Sequence, residues 1–170
     1  MVFWDQAYHM SGNMANKVML LAKNDLFMIG ENKFHFFNRY IDVIECGAIM
    51  GIINYNDTEK FNNALKALKE EKPQDANAEI PVNTMLAEQS KLKTLFRIIM
   101  LNEEIRGLSL QEKTDHAFRN ETKASIQSEN EELFNNFVAI GIDLLYKKIK
   151  DARDAEACLD LMEEILDSSQ

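Results

Sequence analysis

Apolar residues recur along much of this chain at intervals of three and four, the spacing of one helix face. From about 14 to 29 the pattern runs through Met14, Val18, Leu21 and the cluster Leu26 to Ile29, with Gly30 as the stop. A second helix is expected from about 33 to 53. Phe34, Phe37, Ile41, Ile44, Ala48 and Ile52 mark one of its faces. Phe36, Tyr40, Val43, Cys46, Ile49, Met50 and Ile53 mark another. A helix apolar on most sides belongs at the centre of a domain.

Asn56, with Glu59 three positions on, is expected to cap a third helix that uses Phe61, Ala64, Leu65 and Leu68 and ends near Pro73. Residues 71–83 hold both prolines and read as a loop or hinge. A long helix from about 84 to 106 turns Leu92, Leu95, Phe96, Ile99 and Met100 inward and stops at Gly107. Ser109 and Glu112 form a capping box that opens a short helix to about 119. Amphipathic helices follow over 131–150, through Phe134, Phe137, Val138 and Leu145, and over 152–166, through Cys158, Leu159 and Met162. Residues 1–13, with Trp4, Tyr8 and His9, lack a period and read as an N-terminal arm. No alternating run rich in Val, Ile or Thr competes. The expected fold is all-α, a single domain over 1–170 of six or seven helices around the nearly all-apolar segment 33–53.

Composition supports a globular chain. With 170 residues, 46% hydrophobic, and only 6 Gly and 2 Pro, it can bury a core and is neither collagenous nor linker-like. Its 19 Lys+Arg against 28 Asp+Glu give a net charge of -9, which repels a phosphate backbone unless the basic residues cluster. They are scattered: Lys91, Lys93 and Arg97 on one helix, Lys147, Lys148 and Lys150 on another, flanking apolar faces as snorkelling side chains do. Nucleic-acid binding is therefore not expected of the isolated chain. The uncharged run Cys46 to Asn56 falls short of the roughly 18–20 residues needed to cross a bilayer, and the N-terminus has no basic n-region. A cytoplasmic protein without membrane contact is expected. Cys46 and Cys158 lie in apolar helical patterns and read as buried free thiols.

Candidate chemistry is sparse. His9, His35 and His116 stand apart, with no His-Glu-x-x-His or Cys-x-x-Cys scaffold for zinc. Glu112 and His116 are four apart, whereas di-iron bundles use three. Small all-α ribonucleases place His four to six residues after Arg; here Arg106 precedes His116 by ten, so that motif is absent. Glu129-x-x-Glu132 and Glu164-x-x-Asp167 match the carboxylate pairs of all-α nucleotide pyrophosphatases, and a chain this acidic yields such pairs by chance. Ser109 has no base beside it, and no Gly-rich loop cradles phosphate. No catalytic, cofactor-binding or metal-binding residue is assigned, and no cofactor is expected. Two other features stand out. Gly47 and Gly51, four apart, permit close backbone approach by a neighbouring helix, with Gly141 as a natural partner. The polar stretch 115–121 offers His116 and Arg119 as a candidate functional turn, Arg119 pairing with a carboxylate nearby.

The segment Arg39 to Ile44 followed by Gly47-Ala48-Ile49-Met50-Gly51 resembles small helical accessory proteins of bacterial phage-defence operons, including those linked to DNA sulfur modification. Asn130 to Tyr146, with Phe134-Asn135-Asn136-Phe137 and Gly141-Ile142-Asp143, adds to the resemblance. It implies an accessory or assembly subunit and carries over no site residues. The leading expectation is a non-catalytic interaction subunit that forms a homodimer, packs on a partner protein, or both. The alternative is a defence component that touches DNA within a complex; a metal-dependent nucleotide hydrolase is the remote one.

Overall fold

A computed structural model of the protein describes residues 5–22, 27–29, 32–119, 124–151 and 160. Seven α-helices are present among them: α1 (Gly12–Ala22), α2 (Tyr40–Tyr55), α3 (Thr58–Glu70), α4 (Val82–Ala87), α5 (Gln89–Asn102), α6 (Leu110–Phe118) and α7 (Ala124–Asp151). The fold is all-α. Two short antiparallel pairs accompany the helices: β1 (Tyr8–Ser11) with β4 (Asn77–Ile80), and β2 (Phe27–Ile29) with β3 (Asn32–Phe34). The expected helix over 152–166, Cys158 and the Glu164–Asp167 pair lie outside the described residues.

Five expectations need correction. The arm over 1–13 holds β1, and Gly12 turns it directly into α1 at φ +64°, a conformation that favours glycine. Its partner strand lies inside the proline-bearing segment 71–83, which is therefore an ordered return and not simply a loop. Helix 14–29 starts earlier and ends at Ala22, and the central helix starts at Tyr40, because β2 and β3 occupy the stretch between. Both Phe36 and Phe37 donate backbone N–H groups to the Leu21 carbonyl, closing the end of α1 before α2 begins. The helix over 84–106 is two. Its break falls at Glu88, whose carboxylate reaches Arg39 and Lys91, and its end comes at Asn102.

The caps show how local chemistry sets these boundaries. Ser109 and Glu112 make the expected reciprocal capping box at α6. At α3 the cap is Asp57, which accepts from Lys60 N, and not Asn56. The Asn56 amide spans to the end of α5 instead, donating to the Asn102 carbonyl and accepting from Glu104 N, both at 2.8 Å. The polar stretch 120–128 fits either a turn or a continuous solvated helix by sequence; its described part, 124–128, is helical and belongs to α7, while 120–123 lie outside the described residues.

Helix α7 organises the core, touching α1, α2, α3, α5 and α6. Phe134, Phe137, Val138, Ile142 and Leu145 of α7 are fully buried against Ile41, Val43 and Ala48 of α2, Phe96 and Ile99 of α5, and Leu21 of α1. Aromatic pairs lock two of these junctions, Phe61 to Phe137 and Phe96 to Phe134, with centroids 4.8 and 5.9 Å apart. Among the described residues no helix is long and apolar enough to cross a membrane.

Candidate functional site

Three places hold the features singled out in the sequence or polar groups drawn into the core. The first is the crossing of α2 and α7. A Cβ added to Gly141 would land on the carbonyl oxygen of Gly47 and lie 2.6 Å from Gly51 N. One added to Gly51 would strike the Phe137 carbonyl, and one on Gly47 would lie 2.6 Å from Ile142 Cγ1. The two backbones are in direct contact, so the three glycines form one internal helix junction. Cys46 lies beside it on α2 as a free thiol, which burial pushes up to about 11.

The second place ties α5, α6 and α7 together through polar groups. Glu103 follows the last turn of α5 and is 0% exposed. Its carboxylate accepts from Arg106 Nε at 2.8 Å and from Arg106 N at 3.0 Å. The guanidinium then donates through Nη1 to Asn130 Oδ1 at 2.7 Å and through Nη2 to Met100 Sδ at 3.4 Å. Asn130 projects from α7, also 0% exposed, and its Oδ1 lies 2.6 Å from His116 Nδ1 on α6. An amide oxygen only accepts and a guanidinium only donates, so with its proton on Nδ1 His116 shares Asn130 Oδ1 with Arg106 and makes no hydrogen bond to Arg106 itself. Asn130 Nδ2 donates back to the His116 carbonyl at 3.4 Å.

Arg106 and His116, ten apart in sequence, thus approach to 3.1 Å. Both side chains converge on Asn130 Oδ1, and Arg106 also on Glu103, an arrangement that ties three helices together. Arg119 is not part of it. Its side chain is 71% exposed and reaches Asp115 at 3.2 Å, so the two candidates from the polar turn occupy different environments. Glu112, once weighed beside His116 as a metal ligand, accepts from the Ser109 hydroxyl and backbone N–H. Those hydrogen bonds hold its carboxyl below the usual range. Among the described residues no group of three or more His, Cys, Asp or Glu is placed to hold a metal ion.

Sequence reasoning passed over Glu103 and Asn130. A signal existed for Asn130: it lies four residues before Phe134, at the head of the apolar stripe Phe134, Phe137, Val138 on the inward face of α7. A lone amide on a core stripe calls for a partner.

The third place joins α1, α7 and the end of α3. Buried Lys17 donates to both oxygens of Glu71, at 2.8 and 2.7 Å, and to Asp143 Oδ1 at 2.6 Å. Lys147 takes the other Asp143 oxygen at 2.7 Å. Burial raises the Asp143 carboxyl, but hydrogen bonds from Lys147 and Lys17 and their charges outweigh it and leave it below its ordinary value. A lowered folded value means that the stabilisation is complete above about pH 4, the unfolded carboxyl value, and disappears as pH falls through the folded one. Thermal melts from pH 7 to pH 2.5 should therefore show a steeper acid-side loss for the natural protein than for Asp143→Asn. Parallel acid limbs would remove Asp143 from the acid transition.

Comparison of the chain with protein-family models, with curated proteins and with solved structures gives no match in any of the three.

Proposed function

We propose that this protein is a non-catalytic helical interaction subunit of the cytoplasm, and that it works through an apolar strip on the outer side of α2 and α5. The two helices run side by side in the same direction. Arg39 meets Glu88 at one end, Lys91 lies 3.9 Å from Glu45 one turn on, and Asn56 meets Asn102 and Glu104 at the other. Ile49 and Ile53 follow Glu45 on the same side of α2, and Ile98 lies two turns beyond Lys91 on α5. They are 41%, 43% and 44% exposed. That row of exposed isoleucines, bounded by charge at one end and amides at the other, is the observation that carries the reading.

The disposition of the charges supports it. Lys17, Arg39, Lys91, Arg106, Lys113 and Lys147 are each held by a carboxylate of the same chain, which weighs against a phosphate-binding face on an acidic protein. A second copy of the chain is the first partner to test, since two-fold dimers dominate among homo-oligomers. The resemblance of 39–51 and 130–146 to phage-defence accessory proteins supports an assembly role in such a system.

Light scattering coupled to size-exclusion chromatography tests the surface. At micromolar concentration the chain should run at twice 19.6 kDa, and Ile49→Glu with Ile98→Glu should return it to 19.6 kDa with an unchanged helical circular dichroism spectrum. A monomeric natural protein would defeat the homodimer and leave a different partner for the strip. A dimer indifferent to both substitutions would place the interface elsewhere.

A further inference from the structure

A second feature lies on another side of the molecule. Between α1, α3 and α7 is a cavity of about 240 Å³. Met14, Leu65, Leu68, Ala139 and Ile142 make its apolar lining. Ile142 is fully buried and packs against Gly47, so the floor belongs to the rigid α2–α7 junction. The volume suits a molecule on the order of ten non-hydrogen atoms.

The polar part of the lining is asymmetric. Lys17 borders the cavity but directs its ammonium to Glu71 and Asp143, which take all three of its N–H donors, so it offers a methylene stem. Asn13 is held through Nδ2 by Glu71. Asn136 adds a neutral amide, Asn13 Oδ1 is buried without a hydrogen-bond partner among the described residues, and Lys69 is the charged member: exposed at the edge, it makes no ion pair among the described residues. The lining itself carries two lysines and no carboxylate, and of the two only Lys69 is left without a counter-charge among the described residues. A local positive surplus in a chain of net charge -9 selects for an anion at this point.

We propose that this cavity is a binding site for a small amphipathic acid, with its apolar body over Leu65, Leu68 and Ile142 and its anionic head at Lys69. The contact is of the kind seen in small-molecule sites generally: an apolar chamber for affinity and one charged group for orientation.

The probes are octanoate, an amphipathic acid of about ten non-hydrogen atoms, and its uncharged counterpart 1-octanol, both followed by titration calorimetry. Octanoate should bind saturably at one site per chain. Lys69→Glu should weaken octanoate about ten-fold or more and leave 1-octanol unaffected. Ala139→Phe should abolish both by filling the chamber. Leu68→Trp fills it from the opposite wall and serves if Ala139→Phe melts below the natural protein. Ile49→Glu with Ile98→Glu should change nothing, because that strip is separate. Binding that survives both filling variants, or no saturable binding at all, would overturn the site. Loss on filling together with indifference to Lys69→Glu would overturn the acid and leave an uncharged ligand.

Discussion

Gly141→Ala is expected to destabilise the protein by about 3 kcal/mol, although alanine at an ordinary exposed helix position would stabilise by about 1 kcal/mol. The new methyl would fall on the Gly47 carbonyl oxygen and against Gly51 N, which are backbone atoms with no rotamer to change. Helices α2 and α7 would have to separate, loosening Ile41, Val43 and Ala48 from Phe137, Val138 and Ile142 at the same time. Gly51→Ala meets the Phe137 carbonyl and should cost about as much. Gly47→Ala should cost less, since its one contact under 3.0 Å is a side-chain atom, Ile142 Cγ1, and the nearest backbone atom, Val138 O, lies at 3.1 Å. Urea unfolding measures all three, provided the slope is unchanged. A midpoint for Gly141→Ala at or above that of the natural protein would show that the two helices separate without loss.

The same junction shows why much of this fold is legible in the sequence. Periodicity of three and four carries most of α2, α3, α5 and α7, and two glycines in one turn of a helix demand a neighbour close by. Capping chemistry is equally local, so Ser109 and Glu112 identify the start of α6 unaided. The β pairs are another matter. Strands of three or four residues are too short for alternation to show, and β1 finds β4 about seventy residues away, a pairing no local pattern encodes. In the stretch 27–34 apolar residues fall at helical intervals by accident, and nothing in their spacing separates a short hairpin from a helix end. The strip of Ile49, Ile53 and Ile98 was hidden for a different reason. On a helix apolar all round, sequence alone does not say which side the neighbours leave open.

The Arg106 cluster illustrates the same limit with larger energetic consequences. In sequence, Glu103 and Arg106 look like an ordinary ion pair at a helix end, the exposed kind worth less than about 1 kcal/mol. In the fold, Glu103 is 0% exposed and relies on Arg106 for both of its carboxylate contacts, while Arg106 also supplies Asn130 and Met100. Arg106→Ala should therefore cost about 3–5 kcal/mol, the penalty for leaving a buried charge without its counter-charge. Asn130 Oδ1 would keep only His116 Nδ1 as a donor, loosening the joint between α6 and α7. Replacing both members of the pair, as Glu103→Met with Arg106→Met, should cost clearly less than the sum of the two single changes, because no unpaired charge remains. Denaturant unfolding of the natural protein, Glu103→Met, Arg106→Met and the double closes the cycle. An Arg106→Ala variant within about 0.5 kcal/mol of the natural protein, the range of ordinary surface substitutions, would mean that water reaches Glu103 and that the cluster holds nothing together.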